Sequence, residues 1–480
     1  MNTNTPLAPA TQLPLDTATA HTKPHFVWSD EAWMTRRAHA APHAEPLSIY
    51  ELDLGAWRAG LGFREIAAPL ITHVRATGFT HVEFLPLAES PGDDAAGDTP
   101  ALLYGEPDDL RFLVDQLHQA GIGVLMDWVP GNAPTASALH WLSEFHLDGL
   151  RVDAVAAMLY LDHSRGDGQW TPNIHGGREN LAAIRLLQEL NAAVTRAHPG
   201  VLMIAEESTG FPGVTARADH AGLGFGAKWN TAWANTSLRY MQRDPIHRAL
   251  HEGEITFSFV DAFSEHFVLP LSHKKLGNGK GSLLAKMPGT ADRALAAARA
   301  YLGFMWAHPG KKLLFMGQEF GALAESSPER EHDGGLREQS GPASLERLIS
   351  DLNRIYRAQP ALWQRDGDAT SLTRIGGPHH DPTVVAFVRR DYAGASVLCV
   401  SNFADTERHG VELDLPLPGV WEEILHTDAA VYGGHQEGTL GIVVARTEGG
   451  VHRARLNLPA LGTLWLRHQP DAHVPTINAG

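Results

Sequence analysis

Four apolar runs in this 480-residue chain deliver residues that can do chemistry. "VLMDWV" carries Asp127, "GLRVDAV" carries Arg151 and Asp153, "VLMIAEES" carries Glu206, and "FVLPLSH" ends in His273. Charge at the end of an apolar strand costs free energy unless it is paired or used. For one such acid, a satisfied carboxylate at a rim is the plainer account; several on neighbouring strands weaken it. Two carboxylates facing one sugar are what glycoside chemistry requires. One attacks as nucleophile, the other protonates the leaving oxygen, and a retaining pair sits ~5–5.5 Å apart. Neighbouring parallel strands lie ~4.7–4.9 Å apart, which suits Asp153 and Glu206. Arg151, two positions before Asp153, falls on the same side of its strand and would hold that carboxylate ionised. Glu206 would have to arrive protonated.

Eight short β-like runs supply these positions: residues 48–54, 81–87, 124–129, 149–155, 201–208, the weaker 226–230, 267–272 and 311–317. Helical patterns separate them, such as "FREIAAPLITHVRATG" (63–78) and "DDLRFLVDQLHQAG" (108–121). Near-continuous apolar strands alternating with helices predict a parallel sheet covered by helices. Eight such units fit an α/β fold of the (β/α)₈ TIM-barrel type, whose active sites sit at the C-terminal ends of the strands. A doubly wound open sheet lacks support, since no Gly-rich phosphate turn follows the first strand. Beyond residue 365 the pattern changes to "TVVAFVRRD", "ASVLCVSNF", "GVELDLPL", "GVWEEILHT", "RARLNLPA" and "GTLWLRHQ", separated by Gly, Pro and Asp turns. These predict an antiparallel C-terminal β-sandwich. The expected division is a tail over 1–25, the barrel over 26–364, the sandwich over 365–470 and a tail over 471–480.

Composition narrows the partners. Lys plus Arg is 39 against 55 Asp plus Glu, a formal charge of −16, which argues against nucleic acid or an anionic membrane surface. The single cysteine, Cys399, allows no internal disulfide. No apolar run is long enough to span a bilayer. The first 24 residues lack a basic start and an apolar centre, so a cytoplasmic location is expected. The His-rich spots at 21–25 and 378–380 fit no standard metal spacing and read as solvated loops. Lys280-Gly281 in "GNGKG" lacks the full phosphate-loop pattern and reads as a rim turn. No metal and no cofactor is implied.

Longer stretches carry a resemblance. "YELDLGAWR", "DWVPG", "DGLRVDAVAAMLYLDHSR", "MIAEESTGFP", "KWNTAWANTSLRYMQRDPIHR", "FVLPLSH" with "GKGSLLAKMPG", and "MWAHPGKKLLFMGQEFG" together resemble bacterial glycogen branching enzymes of the α-amylase family. The likeness runs from about residue 26 to 467. It implies a retaining transglycosylase that cuts α-1,4-glucan or glycogen through a covalent glycosyl-enzyme and transfers the piece to a 6-hydroxyl. By that resemblance Asp153 matches the nucleophile and Glu206 the acid/base. Asp127, Arg151 and His273 match positions around the sugar at the cleavage point.

The sequence also departs from that family. Its pattern after the seventh strand is Ser-His-Asp-Glu, where the Asp is a third carboxylate that grips sugar hydroxyls. Here Lys274 stands at the Asp and Lys275 at the Glu. An ammonium accepts no hydrogen bond and repels a cationic transition state. Losing one such contact commonly removes ~10²–10³ in rate. Asn132 takes the place of a family His after "DWVPG", and only "NAPTASALHWLSEFHLD" joins the third and fourth strands, where the family has a long excursion. "ESPGDDAAGDTPALLYGEP" lacks the family's Trp-Gly-Tyr, with Tyr104 displaced, and too little chain precedes Tyr50 for the family's amino-terminal sandwich. Two readings follow: a branching-type transferase with weak or altered activity, or a non-catalytic relative that binds glucan or a protein partner. A third, weaker reading is hydrolysis of small α-glucosides on a more open cleft.

Overall fold

A computed structural model describes residues 26–88, 100–166, 168–277, 279–321, 340–436, 438, 441–470 and 472. The expected tails, apart from Ala472, lie outside the described residues, as does 89–99 of the segment in which the Trp-Gly-Tyr was missed.

Strands β1 (Ser48–Leu52), β2 (His81–Phe84), β3 (Gly123–Trp128), β4 (Gly149–Val152), β5 (Leu202–Ala205), β6 (Ala227–Trp229), β7 (Phe267–Leu271) and β8 (Lys311–Phe315) close in chain order into a parallel barrel. The apolar runs conceal a period of two. Ile49, Leu125, Ile204, Trp229, Val268 and Leu313 meet inside the barrel as one cluster. The alternate residues Tyr50, Val82, Val124, Leu150, Met203, Leu269 and Leu314 belong to a larger cluster shared with the surrounding helices. Burial of each such side chain contributes ~1.5–3 kcal/mol, and a strand covered on both faces must be apolar at nearly every position.

The helix Phe63–Thr77 illustrates the outer ring. Phe63, Ile66, Ala67, Leu70 and Val74 recur at helical spacing and are buried. Glu65 reaches back to accept from Gly62 N at 3.0 Å, and the helix stops at Gly78, whose φ of 77° suits a residue without Cβ. Between β3 and β4 the chain forms only the helix Pro134–Glu144, anchored by buried Trp141 and Leu142. No helix among the described residues is long and apolar enough to cross a membrane.

The C-terminal strands β9 (Leu372–Ile375), β10 (Val384–Arg390), β11 (Ser396–Asn402), β12 (Arg408–Leu415), β13 (Gly419–His426), β14 (Ile442–Glu448), β15 (Val451–Leu458) and β16 (Gly462–Gln469) form one antiparallel ladder. Its order is β12-β15-β14-β13-β16-β11-β10-β9. Val388 and Leu398 from one end share a buried cluster with Leu413, Leu415 and Leu456 from the other. Asp414 N donates to Gly376 O at 2.8 Å. The ladder therefore folds over on itself, and the sandwich is a single sheet in two layers. It seats on the helix Ala291–Ala307, which is buried along most of its length. A Cβ on Gly303 would come within 2.7 Å of Thr427 Cγ2, so only glycine admits the sheet there. Thr463 Oγ1 donates to Ala300 O at 2.8 Å and Trp465 Nε1 to Gly303 O at 3.0 Å.

At the opposite, N-terminal end of the barrel, His118 closes the bottom. Its Nδ1 lies 2.8 Å from Asp30 Oδ2 and its Nε2 2.9 Å from Asp148 Oδ2. Trp33 stacks on its ring at 4.9 Å and donates from Nε1 to Asp148 at 2.8 Å. Both ring nitrogens face carboxylates, so the ring is charged. Burial opposes that charge, but Asp148 and Asp30 together raise the His118 pKa above its ordinary 6.5. Burial likewise opposes ionisation of Asp30 and Asp148, and their histidine partners hold both well below the usual carboxylate range.

The linkage has two signs. The histidine contribution is complete below pH 6.5 and is lost as pH rises through the raised value; the carboxylate contribution is lost on acidification below the ordinary carboxylate range. Amide exchange in 30–38 is expected to be slowest relative to the barrel near pH 5.5–6 and faster at pH 9. His118→Gln should cost about 3 kcal/mol in urea unfolding at pH 6, as expected for breaking a buried pair, and should remove the alkaline loss. An alkaline loss of the same size in His118→Gln would assign it to another group.

Candidate active site

The period of two that fills the barrel with aliphatic side chains continues into charge at its mouth. One step beyond Ile49 comes Glu51, beyond Leu125 comes Asp127, and β2 and β4 contribute Glu83 and Arg151 to the same tier. Glu51, Glu83, Asp127 and Arg151 are at most 2% exposed. Register pairs Glu51 with Glu83 and Asp127 with Arg151 across adjacent strands.

Arg151 organises this layer. Its Nε and Nη2 donate to the two oxygens of Asp127, its Nη1 donates to Asp153 Oδ1 at 2.7 Å, and its Cζ lies 4.4 Å from the Trp229 ring centroid. Burial works against the charge, yet Asp127, then Glu83 and Asp153, raise the guanidinium pKa above its already high ordinary value. Glu83 is the counter-case. Neither of its oxygens has a hydrogen-bond partner among the described residues, and Oε1 stands 3.6 Å from Arg151 Nε. Burial, with the charges of Asp127 and Glu51, pushes Glu83 well above the carboxylate range.

Asp153 and Glu206 stand just past the ends of β4 and β5, shorter strands than the runs 149–155 and 201–208 suggested. β4 stops because Ala154 adopts a left-handed backbone, φ 50°, before the helix Val155–Leu159. That conformation is uncommon for a residue with Cβ. It aims Ala154 N at Glu206 Oε2, 3.1 Å away, while Val155 N donates to Glu206 O at 3.0 Å and Glu206 N to Val152 O at 2.9 Å. The two acids are thus fixed to each other through the backbone.

Lys274 lies between them. Its Nζ is 2.5 Å from Asp153 Oδ1 and 3.2 Å from Glu206 Oε2. The sum of those distances caps the separation of the two oxygens below the ~6.5–9.5 Å of an inverting pair and within reach of a retaining one. Burial alone would raise Asp153, but the hydrogen bond from Lys274 and the charge of Arg151 outweigh it and hold the carboxyl below its ordinary value. Oδ1 of Asp153 accepts from both cations at once. His273 is fixed separately: Glu51 accepts from its backbone N at 2.7 Å and lies 2.6 Å from its Nδ1.

Asp127, Arg151, Asp153, Glu206, His273 and Lys274 therefore meet at one mouth. Asn132 stands apart, exposed in the bend between β3 and the helix Pro134–Glu144. Tyr104 packs its ring on Phe63 at 5.8 Å. Glu51, Glu83 and Trp229 escaped the sequence reading; a lone glutamate inside an apolar strand was the available signal. Glu207, the second acid of its pair, is fully buried on Lys228 Nζ at 2.7 Å and Thr209 N at 2.6 Å. Glu51, Asp127 and His273 bring donor atoms within 4.8 Å of one another, as a metal site would. Those atoms are already engaged, Glu51 with His273 and Asp127 with Arg151.

Comparison with known proteins places this geometry in context. A family described as "Alpha amylase, C-terminal all-beta domain" matches residues 375–469. The chain is similar to the 1,4-alpha-glucan branching enzyme GlgB of Leifsonia xyli, 46% identical over 96% of this chain and 70% of that one. It is also similar to GlgB of Cutibacterium acnes, 44% identical over 97% of this chain and 81% of that one. In structure it is similar to a putative alpha amylase from Salmonella typhimurium, with a TM-score of 0.64, 16% identity, and coverage of 93% of this chain and 85% of that one. It is likewise similar to the alpha-amylase of Geobacillus thermoleovorans complexed with acarbose, with a TM-score of 0.61, 12% identity, and coverage of 90% and 100%. At those identities the two structures speak for the fold.

Two stability outcomes follow from the buried layer. Arg151→Met should cost about 3–5 kcal/mol in urea unfolding, because Asp127 is left buried without its counter-charge; a loss under 1 kcal/mol would show that the pair does not organise the mouth. The Glu83 pKa is raised in the fold, so this group lowers stability as pH rises above the ordinary carboxylate value. Glu83→Gln should therefore raise the melting temperature, and by more at pH 8 than at pH 5; a drop at both pH values would mean that the carboxylate itself is needed.

Proposed function

The chain belongs to the GlgB 1,4-alpha-glucan branching enzyme family, and from that premise we propose that its barrel mouth binds α-1,4-glucan while Lys274 leaves the transferase chemistry weak. The observation that carries this reading is the ammonium of Lys274, 2.5 Å from Asp153 and 3.2 Å from Glu206.

In retaining transfer, a carboxylate attacks the anomeric carbon as an acid protonates the departing glycosidic oxygen. The glycosyl-enzyme is then opened by an acceptor hydroxyl, whose proton returns to the acid/base residue. Asp153 suits the first role: Arg151 holds it ionised, and the turn at Ala154 presents it at the rim. Glu206 suits the second by its backbone attachment to the Asp153 turn. Asp127 fixes Arg151, and Glu51 fixes His273, where a bound sugar would meet them.

Lys274 opposes each step. It takes up Oδ1 of Asp153, the atom an anomeric carbon would approach, and it occupies Glu206 with a donor where a glycosidic oxygen should accept. It also sets a positive charge beside a transition state that is itself positive. A carboxylate at that position would instead accept from sugar hydroxyls and stabilise the developing charge. Binding is less affected, because hydroxyls can still meet His273 and the exposed edges of the mouth.

The test is to incubate the full chain with amylose and count new α-1,6 linkages, measuring amylose binding in parallel. The unaltered chain should fall near the Asp153→Ala blank, and Lys274→Asp should gain ~10²-fold or more, with amylose bound by all three. Branching by the unaltered chain a hundredfold above the blank would sink the suppression by Lys274. Absence of amylose binding would sink the glucan assignment.

A further inference from the structure

Glu51 grips His273 with both of its oxygens. Oε2 accepts from the His273 backbone N at 2.7 Å, and Oε1 lies 2.6 Å from the ring Nδ1. The carboxyl is fully buried on β1, whereas His273 stands just past the end of β7. Trp229 of β6 and Phe315 of β8 flank the imidazole, with ring centroids 6.4 and 6.3 Å away. The ring is therefore held from below and from both sides. Its second nitrogen is left over. Nε2 has no hydrogen-bond partner among the described residues, and the side chain is 18% exposed.

The contact with Glu51 also decides where the ring keeps its proton. The backbone N–H donates whatever the ring does, so Oε2 can only accept. The proton in the 2.6 Å contact lies between Oε1 and Nδ1. Imidazole is ordinarily the stronger base, with a pKa of about 6.5 against about 4.3 for a glutamate. That places the proton on Nδ1 and leaves Nε2 of the neutral ring as a bare acceptor. Acceptors are scarce at this mouth. Both oxygens of Asp127 take Arg151, and Asp153 Oδ1 takes Arg151 and Lys274. Glu206 Oε2 takes Ala154 N, with Lys274 3.2 Å away. A sugar hydroxyl that accepts from one of these cations still needs somewhere to deliver its own proton.

We propose that Glu51 is a positioning residue for glucan: by holding the His273 proton on Nδ1, it presents Nε2 as the acceptor for a sugar hydroxyl. This rests on the glucan reading above and adds to it a residue that acts through His273 without touching the sugar.

The substitution that tests this is Glu51→Gln. Glutamine offers one acceptor oxygen and one amide group that only donates. The His273 backbone N–H takes the oxygen, so the amide group faces Nδ1 and the ring proton must move to Nε2. Two-bond ¹H–¹⁵N spectra of the full chain at pH 8, with His273 assigned by its absence from His273→Ala, should show the proton on Nδ1 in the unaltered chain and on Nε2 in Glu51→Gln. Calorimetric titration with maltoheptaose should give about tenfold weaker affinity in Glu51→Gln and in His273→Ala, the scale of one lost hydrogen bond. Adding Glu51→Gln to His273→Ala should cost no more than about twofold further, because two residues acting through one contact are not additive. A proton on Nε2, or on both nitrogens, in the unaltered chain overturns the proposal without any variant. So does a ring proton that stays on Nδ1 in Glu51→Gln, or a tenfold loss from Glu51→Gln that persists in His273→Ala. If the unaltered chain binds no maltoheptaose, the glucan reading falls and the sugar contact with it, while the spectra alone decide whether Glu51 sets the proton.

Discussion

A guanidinium 2% exposed at the mouth of a barrel must be compensated on every side, and the site is arranged around that requirement. Asp127 takes two of the Arg151 donors, Asp153 a third, and Trp229 covers the flat face. These contacts fix which way Asp153 faces and keep it charged. They also explain Glu83. With the carboxyl groups of Asp127 and Glu51 nearby, a further buried negative charge is unfavourable, and the Glu83 pKa is raised.

The rim is energetically separable from this layer, which is why a lysine between two carboxylates is compatible with the fold. Lys274 is 30% exposed, and its charge is met by two acids that stand at the mouth in any case. Lys274 therefore makes an ion cluster with them rather than leaving an orphan. The short connection between β3 and β4 follows the same logic. Trp141 and Leu142 cover the barrel wall even though the connection is short.

Elsewhere the chain invests buried charge in rigidity. Asp366 lies between Lys311 of β8, at 3.0 Å, and Arg389 of β10, at 2.7 Å, while Arg389 also donates to Ala307 O at 3.1 Å. Burial would raise Asp366, but these cations bring it down to about 2. The barrel and the C-terminal sheet are thereby tied by ionic as well as apolar contacts. His118 does the same for the N-terminal helix. Both networks lie away from the mouth, so neither restricts what the mouth binds.

Much of this was legible in the residues themselves. Apolar runs at regular intervals specify parallel strands, because a strand covered on both faces admits little else, and turn residues beyond 365 specify an antiparallel sheet. The acids at the strand ends marked Asp127, Asp153 and Glu206, and the lysine pair was conspicuous against them. Strand lengths were overread: hydrophobicity continues through Val155, but the left-handed turn at Ala154 ends β4 earlier. The glutamates of β1 and β2 were hidden, since the inward or outward sense of a residue inside an unbroken apolar run is set by the register of its neighbours. Sequence named the charges. Only the closed barrel decided that Arg151 is shared by Asp127 and Asp153, and that one ammonium touches both Asp153 and Glu206, because those contacts join strands whose spacing in the chain carries no distance in space.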